Sequence, residues 1–199
     1  MCGRYLIDEE QSEEIHKIIQ EVQRRHGEDA VKTGEIFPTN SAPILTAEKQ
    51  GPLAPRPAKW GFPHFKGSGQ IINARAEGVL GKNMFRKPIL ERRCAIPTTG
   101  FYEWKQIEGQ KKKDKYLFAI PRRNTVYLAG FTNIFRDGAE RYEAYVVLTT
   151  QANDSMAPYH HRMPVILTED ELEQWVSDTD FMQRILGRVG PELVSIRCE

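Results

Sequence analysis

Cysteine is scarce in this chain. The three residues, Cys2, Cys94 and Cys198, stand far apart, and no Cys-x-x-Cys pair occurs. That pattern argues against a disulfide framework, points to a reducing compartment and gives no basis for a structural zinc site. Long apolar runs are missing too, none approaching the roughly 20 residues needed to span a bilayer. The opening Met1-Cys2-Gly3-Arg4-Tyr5 lacks the charged-then-apolar pattern of a secretory signal. Neither a repeat period nor a low-complexity linker is present. At 199 residues, 40% hydrophobic and 28% charged, the sequence fits one domain, residues 1–199, with a substantial core. The expectation is a cytoplasmic monomer with no membrane partner, no metal and no cofactor.

Net charge is also small, at +1, but the total conceals a segregation. Residues 54–125 hold 16 Lys and Arg against 5 Asp and Glu, an excess of +11, which leaves the remainder at −10. A solvated surface requires no such separation, and it reads as an electrostatic footprint for a polyanion. Lys111, Lys112 and Lys113 alone fit a solvated hairpin tip, yet the stretch stays basic without them. A nucleic-acid partner is the expectation.

Periodicity then assigns the elements. Ile15, Ile18, Ile19 and Val22 recur at helical spacing within residues 8–26, and Gly27 stops that helix. Short apolar, β-branched or aromatic runs follow at 42–46 and 58–62, around a turn at Gln50-Gly51, and then at 69–72, 94–97, 101–106, 116–120, 125–131 and 143–149. Thr168-Glu169-Asp170-Glu171 is a capping box opening a helix through Val176. A last helix covers 179–186 before Gly187, and 192–197 is a further strand. Many short strands with helices at the ends and one side predict an α+β fold with a barrel-like, mainly antiparallel β core.

Cys2 follows the initiator methionine, and its size permits trimming of Met1. Trimming gives one residue both a free thiol and a free α-amine, which titrate at about 8.5 and about 7.7–8.0. Such a 1,2-aminothiol closes on an aldehyde to a five-membered thiazolidine, which no internal cysteine can do. Three other polar motifs stand where a strand or turn would otherwise take apolar or small residues. They are Asn73-Ala74-Arg75-Ala76-Glu77, Gly100-Phe101-Tyr102-Glu103-Trp104-Lys105 and His160-His161-Arg162-Met163-Pro164.

Together with Cys2-Gly3-Arg4-Tyr5, these motifs resemble the SRAP family, the SOS-response-associated peptidase or abasic-site-processing domain, in order and over nearly the whole chain. The resemblance implies that Cys2 captures the open-chain aldehyde of an abasic site in single-stranded DNA, with Asn73, Glu103 and His160 completing the catalytic set. Spacing to Arg162 and Pro164 selects His160 over His161. Glu103, between Tyr102 and Trp104, is a carboxyl in an apolar surround, suited to carry protons during ring opening and closure. His160 is a second proton carrier or a hydrogen-bond partner. Arg4, Arg75 and Arg162 are the natural phosphate clamps. Trp60, Phe101 and Trp104 are stacking candidates, with core packing as the alternative. A DNA-directed role places the protein at the nucleoid.

Two other classes compete. Cys2, His160 and Asn73 also offer a nucleophile, a base and an orienting amide for a cysteine peptidase, acting on Met1 or on other proteins. A non-catalytic single-strand binder would need only the arginines and aromatics.

Overall fold

The computed structural model describes residues 2–48, 53–64, 67–109 and 111–198. Its strands begin with β1 (Arg4–Ile7), β2 (Gly34–Ile36), β3 (Ser41–Ala47), β4 (Leu53–Trp60), β5 (Phe62–Pro63), β6 (Gln70–Ile71), β7 (Asn73–Arg75) and β8 (Arg93–Thr98). They continue with β9 (Gly100–Lys105), β10 (Asp114–Ala119), β11 (Val126–Asp137), β12 (Glu140–Gln151), β13 (Arg162–Pro164), β14 (Ile166–Leu167) and β15 (Val194–Arg197). Helices α1 (Glu13–His26), α2 (Asn83–Glu91), α3 (Leu172–Ser177) and α4 (Thr179–Leu186) lie outside the sheets, with 3-10 turns at Ala76–Gly81 and Glu169–Glu171. No helix among the described residues is long and apolar enough to cross a membrane.

The fold is α+β, as expected. Strands β12, β4, β3, β8 and β11 pair in succession, and β11 pairs back onto β12, so five strands close on themselves. Only the β12–β4 step in that ring is parallel. A second sheet, in the order β15-β10-β9-β1-β2, is antiparallel throughout and shares a core with the ring. Successive residues of a strand face opposite ways, and here both faces are buried. Ile44, Ile96, Leu128 and Val147 join Tyr5, Phe101, Phe118 and the α1 residues Ile15, Ile19 and Val22 in one core. Leu45, Ala95, Ala129 and Val146 meet α2, α3 and α4 in another. Burying each of the larger α1 side chains is worth roughly 1.5–3 kcal/mol.

Local chemistry moves some boundaries. The first helix starts at Glu13 rather than residue 8, because Asp8 Oδ1 accepts the amides of Glu10 and Gln11 in a turn. Ser12 then caps the helix through the Ile15 amide, 3.2 Å away. Helix α2 escapes the periodicity reading because Pro88 stands inside it. It is held by burial of Phe85 and Ile89 and by Arg93, whose Nη1 donates to the Ile89 and Leu90 carbonyls at 2.9 Å. The predicted turn at Gln50-Gly51 lies outside the described residues.

Gly130 on β11 sits where strands and side chains crowd most closely. A Cβ there would lie 2.6 Å from both Ile96 Cδ1 and the Val146 carbonyl oxygen. Gly130→Ala should therefore destabilise the protein by about 1–3 kcal/mol, seen as a lower urea midpoint with unchanged slope. A midpoint equal to wild type would show that the barrel wall yields there.

Candidate functional site

The start of the chain is folded into the interior. Strand β1 runs between β2 and β9, with Tyr5 opposite Ile36 and Phe101, and this draws the preceding Cys2 down to 1% exposure. Asn73, first residue of β7, donates from Nδ2 to the Cys2 carbonyl at 2.8 Å. Strand β7 is held in place by parallel pairing with β12, Asn73 opposite Val147. The Cys2 thiol is pushed well up from its ordinary value, by burial first and by the Glu103 carboxylate second, so it stays protonated at neutral pH. Its Sγ lies 3.6 Å from the Arg4 carbonyl.

Glu103 is 4% exposed. On β9 it faces inward with Phe101, while Tyr102 and Trp104 face outward. Its charge acts on His160 as well as on Cys2. His160 is delivered by a tight turn in which Asn153 Oδ1 accepts the Met156 amide and the Met156 carbonyl accepts the His160 amide, both at 3.1 Å. Burial pulls the His160 ring below the usual imidazole range, against the raising effect of Glu103. Nδ1 faces the backbone of Arg162, 3.0 Å from its amide and 3.2 Å from its carbonyl, which fixes the orientation of the ring. Cys2, Asn73, Glu103 and His160 are thus brought together, although they are scattered over 159 positions of sequence.

The predicted phosphate clamps are distributed differently. Arg162 is almost buried and forks onto Glu77 at 2.5 and 3.0 Å, with a further bond to the Thr149 carbonyl at 2.6 Å. Its guanidinium is committed to holding β13 against the Ala76–Gly81 turn, because a buried charge needs a partner. Arg4 pairs with Glu35 at 2.9 Å and lies over the rings of Phe37 and Trp104. Its register with Tyr102 puts it on the sheet face opposite Glu103. Arg75 is exposed and lines a cavity with Gln151, Ala152, His161 and Arg162, leaving it the predicted clamp best placed for an anion. Trp60 and Phe101 are fully buried at 0% exposure, Trp60 against Tyr5 and Tyr145 and Phe101 against Phe118. Core packing, the alternative reading for both, is what the structure shows.

A profile of the SOS response associated peptidase (SRAP) family matches residues 1–192. This chain belongs to the SRAP family. The SRAP chain is 36% identical over 123 residues to abasic site processing protein YoqW of Bacillus subtilis, covering 59% of this chain and 54% of that protein. It therefore spans about half the length of that relative. Abasic site processing protein YedK of Escherichia coli is 24% identical over 204 residues, with 100% of this chain and 87% of that protein covered. A crystal structure of a protein from Bacteroides thetaiotaomicron shares the fold, with a TM-score of 0.79 at 21% identity over 100% of this chain and 92% of that one.

Other residues of this SRAP chain support the cluster. Tyr5 and Tyr145 share a hydroxyl–hydroxyl hydrogen bond beneath Cys2, and burial keeps both phenols protonated. Tyr5 stands within the first motif, but Tyr145 gave only a strand signal. Asn153, whose Nδ2 also donates to the Gly190 and Pro191 carbonyls at 3.1 and 2.7 Å, carried no signal beyond a polar turn. Among the described residues no three His, Cys, Asp or Glu are grouped to hold a metal.

An NMR titration of His160 should give a midpoint below the ordinary value of about 6.5. Glu103→Gln removes the charge that raises it, so the midpoint should fall further. A rise in that variant would show that the carboxylate does not act on the ring.

Proposed function

We propose that this protein captures abasic sites in single-stranded DNA as a covalent thiazolidine through Cys2, shielding the lesion as part of a DNA damage response. The observation that carries the reading is the convergence of the buried Cys2 backbone, the Asn73 amide that holds it, and a carboxylate that acts on both Cys2 and His160. The names of the relatives, abasic site processing proteins, support the substrate class. One copy of the chain supplies all four residues, so a monomer suffices.

Hydrolysis of the Met1–Cys2 bond first releases methionine and frees the α-amine. Glu103 then takes a proton from the sugar hydroxyl and returns it to the ring oxygen as the hemiacetal opens, with His160 hydrogen-bonding to the sugar. The amine adds to the aldehyde carbon, and loss of water leaves an imine. The Cys2 sulfur bonds to that carbon, the C=N π pair moves to nitrogen, and the thiol proton ends on nitrogen. A thiol kept protonated until this last step is also protected from oxidation, which follows thiolate character. The same state is a poor starting point for a general cysteine peptidase, whose nucleophile needs a lowered pKa or an adjacent base. Self-removal of Met1 remains compatible with it.

Met-trimmed protein incubated with an abasic oligonucleotide should give a shifted band on a denaturing gel, and Cys2→Ala should not. Equal bands from the two proteins would sink the reading. Glu103→Gln should slow adduct formation by about 100-fold or more, the usual contribution of a positioned proton carrier. The same change should lower the Cys2 thiol pKa, measured by the pH dependence of alkylation, because it removes a neighbouring negative charge. Faster alkylation together with slower crosslinking would separate proton transfer from simple thiol reactivity.

A further inference from the structure

Strand β15 forms one edge of the antiparallel sheet, and among the described residues it pairs only with β10. Its register sets Ser195 opposite Phe118, which lies in the core, so Val194 and Ile196 face the other way. The Ser195 hydroxyl is anchored on the inner face by a 2.8 Å bond to that of Tyr159. Val194 is 42% exposed and Ile196 57%. Sheet edges are ordinarily guarded by charge, proline or a bulge against pairing with another chain. This edge has no proline, and its one charged residue, Arg197, is turned onto Asp114 at 2.9 Å.

The two ends of the strand carry opposite charge. Exposed Asp154 and Glu192 lie together around a cavity at its start. They are held there because Asn153 Nδ2 donates to the Gly190 and Pro191 carbonyls, and the Leu193 amide donates to the Ser155 hydroxyl at 3.0 Å. Lys112, Lys113 and Arg197 line a different cavity at its finish. Along the edge the order is therefore acidic, apolar, basic. Such a strand is its own antiparallel complement.

We propose that β15 is a homodimer contact, pairing antiparallel with β15 of a second copy about a two-fold axis at Ser195. In that register Val194 faces Ile196 of the second copy, and Ile196 faces its Val194. Moving the axis to Val194 sets Ile196 against Glu192, and moving it to Ile196 sets Val194 against Cys198, so both lose the apolar match. With the axis at Ser195, Glu192 arrives opposite Cys198 of the second copy, beside the basic end, and symmetry makes the contact twice. The pairing joins the two sheets into one. It draws nothing from the Cys2 site and is independent of the reading given to that site.

A strand of four residues makes a small contact, of the weak class. Sedimentation equilibrium between about 1 μM and about 1 mM covers that class, and the mass should rise toward twice that of the chain. Ile196→Lys should stay at the single mass throughout, with an unchanged circular dichroism spectrum because the position is already exposed. Ser195→Cys in a Cys198→Ser background should form an intermolecular disulfide with oxidised glutathione. Facing residues of an antiparallel pair lie about 4.5–5.5 Å apart, within the reach of a disulfide. Val194→Cys in the same background should not, because its two copies lie diagonally across the ladder, about 7–8 Å apart.

A single mass at every concentration would overturn the proposal. So would a dimer that survives Ile196→Lys, since the contact would then lie elsewhere on the molecule. Crosslinking of Val194→Cys in preference to Ser195→Cys would overturn the register.

Discussion

A hydrogen bond from the Asn73 side chain to the Cys2 carbonyl ties the beginning of the chain to its interior. Chain termini ordinarily fray unless something holds them down. Here the restraint is threefold: the Asn73 bond, the pairing of β1 between β2 and β9, and the packing of Tyr5 against Trp60. Each depends on the others. Strand β7 can offer Asn73 only because β12 fixes its register, and β12 belongs to the closed ring. The start of the chain is therefore held by the rigid part of the molecule.

Electrostatics follows from that burial. A thiol in an apolar setting next to a carboxylate stays protonated, and an imidazole in the same setting stays neutral. Around this largely uncharged centre the charged groups are neutralised locally. Arg162 is spent on Glu77, Arg4 on Glu35 and Arg56 on Glu143. Part of the basic excess in residues 54–125 is thus structural: Arg93, for example, is buried and satisfies helix carbonyls. What remains exposed, including Arg75, Lys112 and Lys113, is the part of that charge open to a polyanion.

Alternation along one strand organises the two faces of the sheet. Phe101 and Glu103 turn inward to the core and the site, while Tyr102 and Trp104 turn outward to Lys115 and Arg4. A single run of six residues on β9 thereby serves both the buried chemistry and an exposed basic rim.

The sequence alone determined most element types, because periodicity and turn residues are local, although β1 and α2 gave no such signal. The helix stripe of Ile15, Ile19 and Val22, the capping box at Thr168 and the strands of the β core were all legible from neighbouring residues. It also marked out Cys2, Asn73, Glu103 and His160, since they stand in motifs whose polarity conflicts with their strand or turn context. Tertiary structure alone decided how those residues face one another. Arg162 and Trp60 looked like ligand contacts because a guanidinium and an indole suit that role, yet burial committed both to packing and internal hydrogen bonds. The partnership of Tyr5 with Tyr145 was invisible for a simpler reason: 140 residues separate them, and only the packing of β1, in the second sheet, against β12 of the ring brings them into contact.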